Sequence, residues 1–187
     1  MNWGWSGPAN IIYQVYSFFC HQLPERSYFL FGPQFSYPLS TIQAVWMNTN
    51  NPSLLGRFIG STEMGWKIAW SDRMISFYNG IWVFSLLWYA IRKRVTKLPI
   101  WGLILFLLPM ALDGSTHLIS DLAGHNEGFR ATNQWLLNLT NDAFRTSFYQ
   151  GDMLGSFNAW MRILTGVLAA IGLVWFAFPF LYRSLVE

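Results

Sequence analysis

Residues 74–97 read MISFYNGIWVFSLLWYAIRKRVTK. An uncharged apolar run, Met74 to Ile91, stops at the basic group Arg92, Lys93, Arg94 and Lys97. Crossing the hydrocarbon of a bilayer takes about 20 apolar residues in a helix, so the run predicts a transmembrane span. Immediately after it, Leu98 to Leu112 (LPIWGLILFLLPMAL) predicts a second, with Pro99 and Pro109 at its ends, where proline is tolerated. Ile163 to Tyr182 (ILTGVLAAIGLVWFAFPFLY) predicts a third. A further uncharged stretch, about residues 9–23, contains Asn10, Gln14 and His21. It reads as a fourth span or as a helix lying in the interface.

Composition agrees. The chain has 187 residues, of which 53% are hydrophobic and only 11% charged, with a mean hydropathy of +0.27. A soluble domain carries about a quarter charged residues, so too few remain here to cover a water-facing surface. The same numbers exclude a disordered chain, a coiled coil and a disulfide scaffold. Cys20 is the single cysteine, so no intrachain disulfide can form. The expected fold class is an all-α integral membrane protein, a bundle of three or four transmembrane helices. It forms a single membrane domain over residues 1–187, with extracytoplasmic segments at about 24–73 and 113–160 that carry loop helices.

Positive charge sets orientation. The basic loop 92–97 and Arg183 belong on the cytoplasmic side of a bacterial inner membrane. The connection from Asp113 to Gly155 then lies outside, with Asp113, Asp121, Glu127, Asp142 and Asp152 against Arg130 and Arg145. The net charge of +3 marks that basic rim, where anionic lipid headgroups are met. With no basic tail or phosphate loop, nucleic acid is not an expected partner. The lipid bilayer is one, and so are other membrane protein subunits.

Trp3, Trp5, Trp66, Trp70, Trp101, Trp135, Trp160 and Trp175 fall mostly near span ends, as an aromatic belt does. Some of them can instead pack against a lipid, quinone or pigment. The start, MNWGWSGP, lacks the positive region of a cleavable signal peptide. Residues 32–65 read as a loop with a short helix at Thr41 to Asn48, and Gly128 to Leu139 as an amphipathic helix.

Folding this topology gathers unusual polar residues at one end of the spans: Cys20, His21, Arg26, Asp72, Arg73, Asp113, His117, Asp152, Asn158 and Arg162. Helix ends expose unpaired N–H and C=O groups that such side chains can cap. Ionisable residues at membrane depth are also costly and often functional. Arg162 sits inside an apolar helix and needs a carboxylate, for which Asp72, Asp113 and Asp152 are candidates. Asp113, His117 and Asp121 stand at i, i+4 and i+8, on one face if the helix continues past Gly114. That face can orient a general base or hold a divalent metal. They are the catalytic candidates, against a structural hydrogen-bonded network. Arg26, Arg73 and Arg130 are candidates for phosphate.

One cysteine and three histidines cannot close a thiolate zinc site. A copper or haem ligand through His21 or His117, with Met74 as a soft partner, stays open, although no covalent haem motif is present. No metal site is assigned.

The strings Cys20-His21-Gln22-Leu23-Pro24-Glu25-Arg26-Ser27, Trp70-Ser71-Asp72-Arg73 and Leu108-Pro109-Met110-Ala111-Leu112-Asp113-Gly114 resemble a family of predicted membrane proteins, domain of unknown function 2085. The resemblance covers roughly residues 15 to 120. The segments Gly128-Phe129-Arg130 and Asn158-Ala159-Trp160-Met161-Arg162 are similar to the version found in Chloroflexota. The resemblance implies membership and no assigned chemistry. Where the family typically carries a Cys-x-Arg-Cys turn, this chain has Ser71-Asp72-Arg73-Met74, which puts any thiol or metal chemistry of the family in doubt here.

Two functional readings follow. One is a non-catalytic accessory or structural subunit of a larger membrane complex, by analogy a photosynthetic reaction-centre/antenna or respiratory assembly. The other is a membrane-embedded metal-assisted hydrolase acting on a lipid or headgroup at the outer face. A transporter ranks third, because three or four spans are few for one.

Overall fold

A computed structural model describes residues 6–17 and 20–186. In chain order come α1 (Ser6–Ser17), a 3-10 turn (Pro24–Arg26), β1 (Ser27–Leu30), α2 (Leu39–Val45), α3 (Pro52–Leu55), β2 (Gly60–Ser61) and β3 (Gly65–Ser71). Then follow α4 (Asp72–Ile91), α5 (Ile100–Asp121), α6 (Phe129–Thr132), α7 (Gln134–Leu139), α8 (Thr146–Tyr149) and α9 (Phe157–Val186). The chain divides into two compact units. A sheet unit holds residues 1–72 and 117–160, and a helix unit holds 73–116 and 161–187.

Among the described residues, three helices are long and apolar enough to cross a membrane: Asp72–Ile91, Ile100–Asp121 and Phe157–Ser184. They correspond to the three expected spans. The fourth expected stretch, residues 9–23, corresponds to α1, which is 12 residues long and is not among the three. Phe18 and Phe19 of that stretch, like Trp3 and Trp5, lie outside the described residues.

Two boundaries are corrected. Pro109 lies inside α5, not at its end, and Pro179 lies inside α9. Helices in lipid tolerate proline because neighbouring groups re-satisfy the freed carbonyls. The helix also continues past Gly114 to Asp121.

Within the helix unit, small residues let backbones approach, as between transmembrane helices generally. A methyl group on Gly166 of α9 would come within 2.3 Å of Ser76 Oγ and 2.8 Å of the Arg73 carbonyl on α4. On Gly172 it would lie 2.4 Å from Phe106 Cβ on α5, and on Gly80 2.7 Å from Ala170 Cβ. Toward the basic turn, Trp88 meets Phe178 and Tyr182 edge-on, and Trp175 Nε1 donates to the Thr96 carbonyl at 2.8 Å.

The sheet unit was not expected to contain strands. Its antiparallel sheet has the order β1-β3-β2, with Phe29 opposite Lys67 and Leu30 opposite Trp66. Along β3, Gly65, Lys67 and Ala69 are buried while Trp66, Ile68 and Trp70 are less so. Side chains alternate across a strand, which puts the lysine on the inner face. Phe29, Tyr37, Ile42, Phe58 and Met64 form one core cluster, and Leu23, Leu39 and Leu55 a second. Each such side chain contributes about 1.5–3 kcal/mol by leaving water.

The expected helix over Gly128 to Leu139 is two short ones, α6 and α7, broken at Asn133. Asn133 is left-handed (φ 43°) and fully buried. Its amide donates to the carbonyls of Arg130 (2.9 Å) and Tyr149 (2.8 Å) and to Asn158 Oδ1 (3.2 Å). Asparagine tolerates this backbone region better than other non-glycine residues, and those side-chain bonds compete with a continuous helix.

Candidate functional site

The catalytic candidates do share α5, yet each meets a different partner. Arg73 Nη2 donates to Asp113 Oδ2 at 2.6 Å in the helix unit. In the sheet unit, Arg130 Nη2 and His117 Nε2 are 3.0 Å apart. A guanidinium only donates, so Nε2 is the acceptor there and the His117 imidazole is neutral. Asp121 receives Arg26 at 3.3 and 3.4 Å.

Arg26 is the hub of the sheet unit. Its Nε donates to Asp152 Oδ2 at 2.8 Å while its other nitrogens hold Asp121. Burial opposes the guanidinium's charge, but Asp152, Glu25 and Asp121 outweigh it, so Arg26 holds its proton more tightly than a free arginine.

Next to it, Glu25 is buried, and its Oε1 accepts from His125 Nε2 at 2.8 Å. His125 Nδ1 faces Asp121 Oδ1 at 3.9 Å. Glu25 Oε2 and His125 Nδ1 have no hydrogen-bond partner although both are buried. A cleft of about 410 Å³ opens here, lined by Glu25, Ser40, Ser147, Gln150 and Asp152 among others.

The remaining expected residues are structural by their contacts. Asn158 Nδ2 donates to the carbonyls of Arg130 (2.7 Å) and Gly151 (2.9 Å). Cys20 is a half-buried free thiol whose sulfur accepts from the Gln22 N–H at 3.4 Å. His21 is exposed. Asp72 opens α4 and Arg162 lies near the start of α9, and both are buried. Of the phosphate candidates, Arg26 holds two carboxylates, Arg73 holds Asp113, and Arg130 lies 5.6 Å over the Phe157 ring beside His117. Among the described residues, no group of three His, Cys, Asp or Glu is arranged to hold a metal ion.

The sequence gave no warning of Lys67. It is almost fully buried, and its ammonium donates to the carbonyls of Gln22 (2.5 Å) and Gly56 (3.0 Å). Burial pushes its pKa down to about 7, against the opposing pull of Glu25 and Cys20. Tyr13 caps the same strand through a hydrogen bond to the Lys67 carbonyl. The alternation of β3 is the signal that could have found it.

The family described as "Predicted membrane protein (DUF2085)" matches residues 62–176. The chain belongs to this family. The DUF2085 match begins after the Cys20–Ser27 string and reaches well beyond residue 120, so it takes in Lys67, the whole of α4 and α5 and most of α9. Glu25 and Arg26 precede it, whereas their partners His125, Asp121 and Asp152 lie within it. A relative named "Uncharacterized protein MJ1492", from Methanocaldococcus jannaschii, is 30% identical over 125 residues, 66% of this chain. The aligned stretch spans 59% of that relative's length. No solved structure matches the chain.

Proposed function

We propose that this DUF2085 protein is a non-catalytic accessory subunit of a larger assembly in a bacterial inner membrane. The observation that carries the reading is the separate commitment of Asp113, His117 and Asp121 to Arg73, Arg130 and Arg26. A metal-assisted hydrolase would need those three side chains converging on one ion or one water. Paired as they are, they hold α5 to its neighbours. Basic loop 92–97 faces the cytoplasm in this reading, by the positive-inside bias. Respiratory and photosynthetic reaction-centre/antenna complexes are the assemblies first to be searched, by analogy with the Chloroflexota-like segments alone.

Purifying the tagged protein from its native membranes in mild detergent tests this. A large particle with stoichiometric partner chains is expected, and its absorption spectrum reports haem or pigment. A small colourless particle that hydrolyses lipid phosphate, and stops doing so in a folded His117→Ala variant, would overturn the reading.

A further inference from the structure

The cleft beside Glu25 is not used by the accessory-subunit reading. Its ionisable lining groups are Glu25 and Asp152, both acids, with no lysine, arginine or histidine among the described lining residues. Asp152 is held by Arg26, but Glu25 Oε2 is buried without a hydrogen-bond partner. A buried carboxylate oxygen with no donor is costly, so this wall of the cleft asks for one. Hydroxyls and amides of Ser40, Thr132, Ser147 and Gln150 complete the lining. Anions are disfavoured by the two acids. A bare metal ion finds no three-ligand group among the described residues, and about 410 Å³ is far more room than one ion or one water needs.

The geometry points to a binding site for a primary ammonium group, carried by a small organic amine or by an amine-bearing lipid headgroup, with Glu25 as its anchor. The ammonium donates to Glu25 Oε2 and leaves the Oε1–His125 hydrogen bond in place. The hydroxyls of Ser40 and Ser147 accept its remaining protons. This is a charge-assisted contact out of bulk water, of the kind that selects ligands strongly.

The test uses the full chain in lipid nanodiscs, with n-butylammonium chloride as probe at constant ionic strength and thermal unfolding as readout. The midpoint is expected to rise with probe concentration, and not with butanol, acetate or magnesium chloride. Glu25→Gln keeps an acceptor for His125 and is expected to weaken the response about tenfold or more. Ser40→Phe, which fills the cleft from an exposed position without touching the Glu25–His125 pair, is expected to abolish it. A wild-type protein unmoved by butylammonium, an equal response to magnesium, or an undiminished response in folded Glu25→Gln would each overturn the assignment. Competition by phosphatidylethanolamine in the nanodisc assigns the ammonium to a lipid headgroup; undiminished binding assigns it to a free amine.

Discussion

Arg73 Nη2 donates to Asp113 Oδ2 at 2.6 Å, joining the start of α4 to the middle of α5. The Asp113 side chain is 3% exposed and that of Arg73 22%. Removing one member of a buried pair leaves a charge uncompensated. Asp113→Leu or Arg73→Leu should each cost about 3 kcal/mol. The double variant should cost less than their sum, by a coupling of about 1–3 kcal/mol. Reversible unfolding in detergent measures the cycle, and strict additivity would show that the pair is not coupled.

Close approach of α4 and α9 at Gly166 leads to a second expectation. A methyl there meets the Arg73 backbone carbonyl, which cannot swing aside. Gly166→Ala should destabilise by about 1–3 kcal/mol. At Gly102 the nearest atoms belong to the flexible Leu98 side chain, so Gly102→Ala should be neutral or slightly stabilising. Melting midpoints of the two variants side by side decide the matter.

Asn133 tests the break between α6 and α7. Its three acceptors leave no role for a second acceptor in its place. Asn133→Asp should therefore be worse than Asn133→Ala, itself costing about 2–3 kcal/mol. Equal stability of the two variants would show that the donor bonds carry little.

Lys67 predicts a pH dependence. Its folded pKa, about 7, lies below its ordinary value of 10.5. Between these values the unfolded chain binds more protons, so stability rises with pH. The burden is complete below pH 7 and is relieved as pH climbs from about 7 to about 10.5. Lys67→Met should flatten this rise. Melting midpoints from pH 6.5 to 9.5 supply the comparison, and parallel curves would contradict it.

Orientation is open to labelling. In a Cys20→Ser background, Glu63→Cys should react with an impermeant maleimide on intact spheroplasts, whereas Lys93→Cys should react only after permeabilisation. Both native side chains are exposed. The reverse pattern would invert the membrane topology argued from the basic loop.

Three spans were legible because apolar length is a local, additive signal. The extension of α5 was less so. Asp113 and His117 end the apolar count, but Leu118 and Ile119 carry the helix on. β3 was missed because GWKIAWS is short, abuts a span and hides a lysine on its inner face. Arg26, Asp121 and Asp152 could each be singled out from sequence, but their union depends on separations of 95 and 126 residues. Glu25 and His125, 100 residues apart, carry no local pattern at all.

The sheet unit is discontinuous, and that bears on how the protein is made. Arg26 leaves the ribosome 126 residues ahead of Asp152, with α4 and α5 synthesised in between. At about 5–20 residues per second the interval is roughly 6–25 s. Throughout it, the nascent N-terminal stretch carries Glu25, Arg26 and Lys67 before most of the groups that neutralise them exist, while the translocon is already handling two apolar helices. Biogenesis therefore depends on chaperoning a polar half-domain until its second half emerges, and stalled chains are natural substrates for membrane quality-control proteases.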